Sequence, residues 1–242
     1  MCVATRARVL GCPVDVVDMD GAVERLVELT ALAAPDHPAV VVTLNPEMVM
    51  RARREAEFRA ILEAAALIVP DGVGVVRALR RRGHRRAVRV GGADLFEAYL
   101  PRARAMGRRV ALVGAGAGVA DRAAAVLRAR HPGLDLVADG GDPTESTAAR
   151  VGGRAPHLVA AAYGAGRQER FLRDHLVTMR AAAGIGVGGT LDYLAGGARR
   201  APAPLRSAGL EWLWRLVLEP RRWRRQAVLP YFWWLERREA LR

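Results

Sequence analysis

The stretch RRVALVGAGAGVADRAAAVLRARHPGLDLVAD, residues 108–139, decides the fold class of this chain. It contains a strand-like apolar run, a turn with alternating glycines, a helical pattern rich in alanine and arginine, and a second apolar run. Pro132 and Gly133 end the helix, since proline cannot continue it and glycine favours a turn. A strand, a helix and a strand in this order predict a β-α-β unit with parallel strands.

Apolar runs and helical patterns alternate on both sides of that stretch. Further strand-like runs are AVVVTL at 39–44, ALIV at 66–69, HLVAAAYG at 157–164 and GIGVGG at 184–189, and ARVLGCPVDVV at 7–17 is typical of a short strand pair. This alternation predicts an α/β fold in which helices cover both faces of a mainly parallel sheet.

The pattern changes at GGARRAPAP, residues 196–204, where glycines and prolines interrupt the alternation. Two helical stretches rich in arginine and tryptophan follow, at 205–218 and 221–235. We therefore expect an α/β domain over residues 1–198 and a basic helical appendage over residues 199–242.

Composition excludes several classes of protein. The 38 basic residues are all arginine, and a chain without lysine has neither a P-loop nucleotide site nor a pyridoxal phosphate Schiff base. Two cysteines near the N-terminus form no metal cluster and no disulfide framework, which indicates a reducing compartment. The N-terminus lacks the apolar core of a signal peptide, and no uncharged apolar run approaches the roughly 20 residues that span a bilayer. We expect a cytoplasmic protein.

More than half of the net charge of +13 lies in the C-terminal segment. Residues 199–242 hold 11 arginines and 4 glutamates, a net charge of +7, together with all five tryptophans. This composition indicates a partner that bears phosphates, and aromatic rings beside arginines suit the headgroup region of an anionic membrane. The alternative is a helical pair that packs its tryptophans on the core. No RNA-binding motif is present, so no nucleic-acid partner is expected.

Polar side chains follow the predicted strands, at the edge where open α/β sheets bind ligands. Asp71 comes after ALIV and before Gly72 and Gly74, which we expect to keep the turn open for a ligand. The alternative is that Asp71 caps the next helix. Other polar residues fall at the same edge and together predict a ligand site: Thr43, Asn45, Gln168 and Asp192. Asn45 also suits a helix cap, since it directly precedes a proline.

The glycine turn of the opening stretch places Gly114, Gly116 and Gly118 between a strand and a helix. Their spacing departs from the dinucleotide fingerprint, but Asp139 follows the next strand, so a Rossmann-type NAD(P)-dependent oxidoreductase is the alternative function. We expect this helix N-terminus to contact phosphate or ribose.

The DMD sequence at 18–20 follows a predicted strand, as the acidic motifs of haloacid dehalogenases and metal-binding transferases do. The dehalogenase reaction also needs a later basic residue, usually lysine, and a final acidic pair, whereas this chain has no lysine and shows no such pair. We expect Asp18 and Asp20 to cap and charge the first turn of a helix. The five histidines are scattered along the chain, so no metal site and no cofactor are expected.

Five segments together resemble the WecG/TagA/CpsF glycosyltransferase family over about residues 11–230: TLNPEMV at 43–49, PDGVGVV at 70–76, RHPGLDLV at 130–137, GGTLDYLAGGARRAP at 188–202 and GLEWLWRLVLEPRRWRR at 209–225. The resemblance implies a Rossmann-like fold and an inverting, metal-independent transferase. Its donor is a UDP-linked N-acetylmannosamine-type sugar, and its acceptor is an undecaprenyl-pyrophosphate-linked sugar in teichoic acid or other cell-surface polysaccharide synthesis. The enzyme is expected to lie peripherally on the inner face of the cell membrane.

The resemblance also implies roles for single residues. The general base of the family's PDG segment corresponds to Asp71, and the remaining catalytic positions correspond to Thr43, Asn45 and Gln168. Substrate contacts are expected from the aspartate of GGxxDxxAG, from turn glycines and from C-terminal arginines: Asp192, Gly72, Gly114, Gly118, Arg215, Arg222 and Arg225. The family's GxPKQE reads GAGRQE here, with Gly166 and Arg167 in place of proline and lysine, which leaves the donor sugar open. A homo-oligomer is a further expected partner.

Overall fold

The computed structural model describes residues 5–31, 36–197, 201–202, 205, 211–218, 220 and 223–240. Its strands are β1 (Thr5–Val9), β2 (Cys12–Val16), β3 (Ala39–Leu44), β4 (Leu67–Pro70), β5 (Val110–Gly114), β6 (Leu136–Asp139), β7 (Leu158–Ala162) and β8 (Ala183–Gly186). Its helices are α1 (Met19–Ala31), α2 (Pro46–Ala52), α3 (Ala56–Ala64), α4 (Val73–Arg81), α5 (Gly92–Ala105), α6 (Val119–Arg130), α7 (Glu145–Gly152), α8 (Arg167–His175), α9 (Thr190–Leu194), α10 (Glu211–Leu218), α11 (Trp223–Gln226) and α12 (Leu229–Ala240).

The main sheet has six strands in the order β4-β3-β8-β7-β5-β6, and each neighbouring pair is parallel. The predicted α/β fold with a mainly parallel sheet is therefore confirmed. The opening stretch forms β5, α6 and β6 as expected, and α6 ends at Arg130, just before the Pro132 and Gly133 stop signals.

A two-stranded antiparallel hairpin, β1 and β2, precedes the main sheet. Leu10 and Gly11 form its two-residue loop with φ angles of 49° and 82°, the left-handed conformation that tight hairpin loops favour. Asp15 of β2 is buried and ties the hairpin to the main sheet, since its Oδ2 accepts a 2.8 Å hydrogen bond from the backbone of Ile68 in β4. The predicted strand pair is confirmed.

Alternating residues of the central strands pack against opposite faces of the sheet. One face carries α1, α5, α6 and α9, with Val41, Leu112 and Ile185 among its buried residues. The other face carries α2, α3, α4, α7 and α8, with Val42, Val113 and other apolar side chains between helices and sheet. Helices on both faces explain why the strands are almost wholly apolar, because neither face meets water.

The chain leaves several pairs of neighbouring strands toward opposite faces, and two of these pairs lie beside the predicted site residues. After β3 it enters α2 on one face, and after the adjacent β8 it enters α9 on the other. The same divergence separates β7, followed by α8, from β5, followed by α6. Divergence of this kind opens a crevice beyond the carboxyl ends of the strands, which is where open α/β sheets bind ligands.

The C-terminal helices differ in part from the prediction. The expected helix over 221–235 is interrupted at residues 227–228, and α12 begins at Leu229 and runs to Ala240. Pro230 lies in the first turn of α12, where its missing backbone N–H costs no helical hydrogen bond. Phe232 of α12 is fully buried in the core beneath α2 and α4. This last helix thus packs on the α/β body.

Candidate active site

Asp71 follows the carboxyl end of β4, beside the first crevice. Its backbone N–H donates to the carbonyl of Leu44 in β3 at 3.0 Å, which fixes Asp71 next to the end of that strand. Arg89 holds the residue from the other side: its Nε donates to the Asp71 carbonyl at 2.7 Å and its Nη2 donates to Asp71 Oδ1 at 3.0 Å. Both side chains remain about one quarter exposed, at 24% for Asp71 and 26% for Arg89. A carboxylate held this way is oriented and still reachable by a ligand.

Asp71 is not the N-cap residue of α4. That position is Gly72, one residue later, and the Asp71 carboxylate is paired with Arg89. Arg89 was missed in the sequence because the pair is separated by 18 residues and no local pattern connects them.

The glycines after Asp71 serve packing, which corrects the expectation that they keep the turn open. Gly72 has φ −94°, which any residue adopts. A Cβ on Gly72 would lie 2.4 Å from Cδ of Pro46, and one on Gly74 would lie 2.9 Å from Cγ of the same proline and 3.0 Å from the Phe232 ring. The start of α4 therefore approaches α2 and α12 at a distance that only glycine allows. Whether Gly72 also touches substrate stays a prediction.

Thr43 and Asn45 lie at the end of β3, next to Asp71. Thr43 is buried, contacts Gly92 at the start of α5, and its Oγ1 donates to the carbonyl of Gly186 in β8 through a long 3.4 Å hydrogen bond. Asn45 is the N-cap of α2, and its Oδ1 accepts from the backbone of Met48 at 3.1 Å. The cap predicted for Asn45 is confirmed. Because the carbonyl oxygen is used by the cap, its Nδ2 group can donate to a ligand.

Gln168 lies at the start of α8 and reaches across to the loop after β8. Its Oε1 accepts from the backbone of Gly188 at 3.1 Å, and its Nε2 donates to Oε1 of Glu169 at 2.8 Å. A Cβ on Gly186 would lie 2.2 Å from that Nε2, so the close approach requires glycine. Gln168 therefore joins the loops after β7 and β8. The helix containing Asp192 begins two residues after Gly188.

Glu169 is completely buried next to Gln168, and burial raises the pKa of its carboxyl group. Hydrogen bonds from Gln168 and from the backbone of Gly166, the latter at 2.5 Å, act in the opposite direction. Gly166 has φ +90°, and a Cβ there would lie 2.7 Å from Nη1 of Arg51, so the guanidinium of Arg51 packs closely against this turn. Sequence reasoning assigned no role to Glu169.

The glycine turn after β5 lies at the second crevice. Gly114, Gly116 and Gly118 all have positive φ, and the last of these is the N-cap of α6. Tyr163 covers Gly114, since a Cβ on this glycine would lie 2.7 Å from the tyrosine ring. Four strand spacings of about 4.8 Å separate β4 from β5, so a ligand touching both Asp71 and this turn must be extended.

Asp139 does not behave as the ribose ligand of a dinucleotide site. Its two carboxylate oxygens accept from Arg150, with Nε to Oδ2 at 2.8 Å and Nη2 to Oδ1 at 3.0 Å, and Oδ1 also accepts from the backbone of Gly141. The Arg150 guanidinium lowers the pKa of Asp139 through these bonds. A carboxylate paired in this way is committed to the protein, which weakens the oxidoreductase alternative.

The DMD segment acts as a helix start. Asp18 Oδ1 accepts a 2.9 Å hydrogen bond from the backbone of Gly21, and Asp20 lies in the first turn of α1. This confirms the predicted capping arrangement. Within the described ranges, no three His, Cys, Asp or Glu side chains are grouped so that they could bind a metal ion.

The structure describes little of the C-terminal arginines that were predicted to contact the donor. Arg222 falls outside the described residues, and for Arg215 and Arg225 only the helical backbone of α10 and α11 is described. The neighbouring Arg224 lines a pocket of about 170 Å³ between α2 and the C-terminal segment, together with Arg51, Arg54 and two glutamates. The C-terminal segment thus covers a polar pocket next to the β7–α8 loop.

Most C-terminal tryptophans are exposed. The exposed fractions are 36% for Trp212, 59% for Trp223, 42% for Trp233 and 49% for Trp234, which contradicts the alternative that these rings pack on the core. Arg238 lies 4.7 Å above the ring of Trp234, so aromatic and basic groups share one surface. Among the helices of the described residues, none combines the length and apolar character needed to cross a bilayer.

Comparison with known proteins defines the class. Residues 7–242 match the model of the glycosyl transferase WecG/TagA/CpsF family, and the chain belongs to this family. It is a glycosyltransferase, and no comparison supports the oxidoreductase alternative.

Two relatives carry a more specific name. The chain is 32% identical over 197 residues to N-acetylglucosaminyldiphosphoundecaprenol N-acetyl-beta-D-mannosaminyltransferase of Bacillus subtilis strain 168, and the aligned part covers 80% of this chain and 77% of that protein. The enzyme of the same name from Bacillus spizizenii strain W23 is also 32% identical over 197 residues, with the same coverage.

Proposed function

We propose that this chain transfers an N-acetylmannosamine-type sugar from a UDP donor to an undecaprenyl-diphosphate-linked sugar, with inversion at the transferred carbon. The observation that carries the proposal is the Asp71–Arg89 pair beside Asn45 at the crevice, in a chain that aligns over 80% of its length with two transferases named for this acceptor and sugar. The product serves teichoic acid or another cell-surface polysaccharide.

Asp71 acts as the general base in this reaction. The acceptor hydroxyl oxygen attacks the anomeric carbon of the donor, its proton moves to the Asp71 carboxylate, and the bond between that carbon and UDP breaks with its electrons on the leaving diphosphate. Arg89 supports this step by orienting the carboxylate through two hydrogen bonds. Asn45 contributes N–H donors at the same strand edge.

The leaving diphosphate needs positive charge next to the reacting carbon, and Arg215, Arg222 and Arg225 supply it from the C-terminal segment. Helix α6 begins at the Gly118 turn, four strand spacings of about 4.8 Å from β4, so its N-terminus suits the ribose end of an extended donor and not the diphosphate beside Asp71. Electrostatic stabilisation of this kind acts on the charge that develops as the bond breaks.

The C-terminal segment brings the enzyme to its lipid-linked acceptor. Exposed tryptophans next to arginines suit the headgroup region of an anionic membrane, so the protein docks peripherally on the cytoplasmic face. The pocket beneath this segment is lined by Arg51, Arg54 and Arg224 and by two glutamates, so its lining carries a net positive charge that suits a diphosphate entering from the membrane side.

A donor screen tests the proposal. Purified protein is incubated with UDP-N-acetylmannosamine, UDP-N-acetylglucosamine or UDP-glucose and a short-chain lipid-diphosphate-N-acetylglucosamine acceptor, and UDP release and product mass are measured with and without EDTA. We expect turnover only when both substrates are present, with N-acetylmannosamine preferred and EDTA without effect. If product forms only with another UDP-sugar, the proposed donor is wrong. Inhibition by EDTA that added Mg²⁺ reverses would refute the metal-free mechanism.

A further inference from the structure

Gln168 and Glu169 form a chain of hydrogen bonds between the loops that follow β7 and β8. The backbone N–H of Gly188 donates to Gln168 Oε1 at 3.1 Å, Gln168 Nε2 donates to Glu169 Oε1 at 2.8 Å, and the backbone N–H of Gly166 donates to Glu169 Oε2 at 2.5 Å. Gln168 is 3% exposed and Glu169 is completely buried.

The direction of each hydrogen bond follows from the two ends of the chain. A backbone N–H can only donate, so Gly188 requires the oxygen of the Gln168 amide to face it. The amide nitrogen must then face Glu169, which requires an acceptor there. Gly166 likewise presents a donor to the second Glu169 oxygen, so both carboxylate oxygens accept. Only a carboxylate at position 169 satisfies every donor, because a carboxamide would turn an NH₂ group toward an N–H.

We propose that Glu169 is a positioning residue for the transfer reaction: it fixes the orientation of the Gln168 amide and, through Gly188, the loop that leads to Asp192. With this orientation, one hydrogen of Gln168 Nε2 is bound to Glu169 and the second has no acceptor among the described residues. That second hydrogen is the group Gln168 offers to substrate. The inference rests on the proposed function and on the catalytic role that the family resemblance implies for Gln168.

A double-mutant cycle tests the inference. In Glu169→Gln, one of two donors loses its acceptor, and we expect kcat to fall about tenfold or more while the KM for donor changes little. Gln168→Met keeps the side-chain volume without polar atoms and should lower kcat to a similar extent. Because both substitutions act through one amide, the double variant should be no worse than Gln168→Met alone.

A swapped pair separates positioning from folding. In Gln168→Glu with Glu169→Gln, the new carboxylate accepts from Gly188 and from the new amide, and that amide accepts from Gly166, so all three hydrogen bonds can re-form. We expect the melting temperature lost in Glu169→Gln to recover in the swapped protein while turnover stays low, since residue 168 no longer has an N–H to offer. Recovery of turnover together with stability would show a purely structural role.

The control is Glu57→Gln on α3. Glu57 accepts from Arg170 at 3.1 Å and from Arg173 at 2.8 Å, so it anchors the same helix from its exposed side without reaching Gln168. We expect its turnover to match the unsubstituted protein. Wild-type turnover of Glu169→Gln, or additive losses in the double variant, would overturn the inference. Wild-type turnover of Gln168→Met would instead refute the catalytic role that the family resemblance implies for Gln168.

Discussion

A single carboxylate, Asp71, is placed at the sheet edge by contacts from two directions. Its backbone N–H donates to the carbonyl of Leu44 in β3 at 3.0 Å, and Arg89 donates to both its carbonyl and its carboxylate. The planar guanidinium can make these two bonds at once, which an ammonium group cannot do with the same geometry. The carboxylate that we propose as the general base is therefore already oriented by the protein.

Asp71→Asn should lower kcat by about 10²–10⁴, because the carboxamide keeps the shape and cannot take the proton. Initial rates with saturating donor and acceptor measure the loss, and thermal melting checks that the fold is intact. Asp20→Asn is the control, since Asp20 is exposed in the first turn of α1 and belongs to the DMD segment. A variant of Asp71 with unchanged turnover would exclude it as the base.

At the scale of elements, the site depends on how closely α4 approaches α2. Pro46, the first residue of α2, packs directly against Gly72 and Gly74, so neither position has space for a side chain. The same Pro46 follows Asn45, whose side chain caps α2. The loop carrying Asp71 is thus held by packing between two helix starts.

Gly72→Ala should destabilise the protein by about 1–3 kcal/mol, because the new methyl group overlaps Pro46 and the helices must separate. Gly153→Ala is the matched control: Gly153 has φ −60° and its added Cβ would meet no atom closer than 3.5 Å. Denaturant unfolding measures both. Equal stability of the two variants would show that the helix contact adjusts freely.

The last helix is joined to the body by a buried ion pair as well as by Phe232. Glu236 of α12 is 2% exposed and accepts from Arg81 and from Arg82 at the end of α4, the latter at 3.4 Å. Arg82 also pairs with Glu239, which in turn accepts from the backbone of Leu10 at 3.2 Å. These bonds link α12, α4 and the hairpin.

Glu236→Gln should cost about 1–3 kcal/mol, because Glu236 is buried and a carboxamide accepts weaker hydrogen bonds from the two guanidinium groups than a carboxylate does. Glu63→Gln provides the comparison: the Arg8–Glu63 pair is 59% and 42% exposed, and exposed pairs contribute at most about 1 kcal/mol. The difference in unfolding free energy between the two variants is the measurement. If both lose the same amount, α12 is not held by this pair.

At the scale of the whole molecule, exposed tryptophans and exposed arginines occur together on the C-terminal segment. Four tryptophans are exposed between residues 212 and 234, and Arg237 and Arg238 lie exposed on the following turn of α12. Removing everything after residue 204 would also take Phe232 out of the core, so surface substitutions test membrane docking more cleanly than truncation.

Replacing Arg237 and Arg238 with glutamine should weaken binding to phosphatidylglycerol vesicles, measured by sedimentation, roughly thirtyfold, since each arginine near an anionic surface contributes about 1 kcal/mol. The double variant Trp223→Ala/Trp234→Ala should also bind the vesicles more weakly, and its loss should persist at high salt, where the contribution of charge is screened. Val177→Ala, at a 56% exposed apolar position of the α/β body, is the control. If both C-terminal variants sediment with vesicles as the unsubstituted protein does, the C-terminal segment is not the membrane-binding surface.

The sequence alone determined the features that depend on neighbours along the chain. Apolar runs between helical patterns predicted the parallel α/β sheet, because each β-α-β unit is local. Asn45 before Pro46 predicted a helix cap, since the cap bond spans only three residues. The family resemblance drew on short segments of the same kind.

Only the tertiary structure decided which distant residues meet. Arg89 reaches Asp71 across 18 residues, Gly188 reaches Gln168 across 20, and Pro46 meets Gly72 across 26. Such pairs leave no period in the sequence, because strand order and helix packing set their distance. For the same reason Gly72 was expected to leave room for a ligand, whereas the space beside it is filled by another helix.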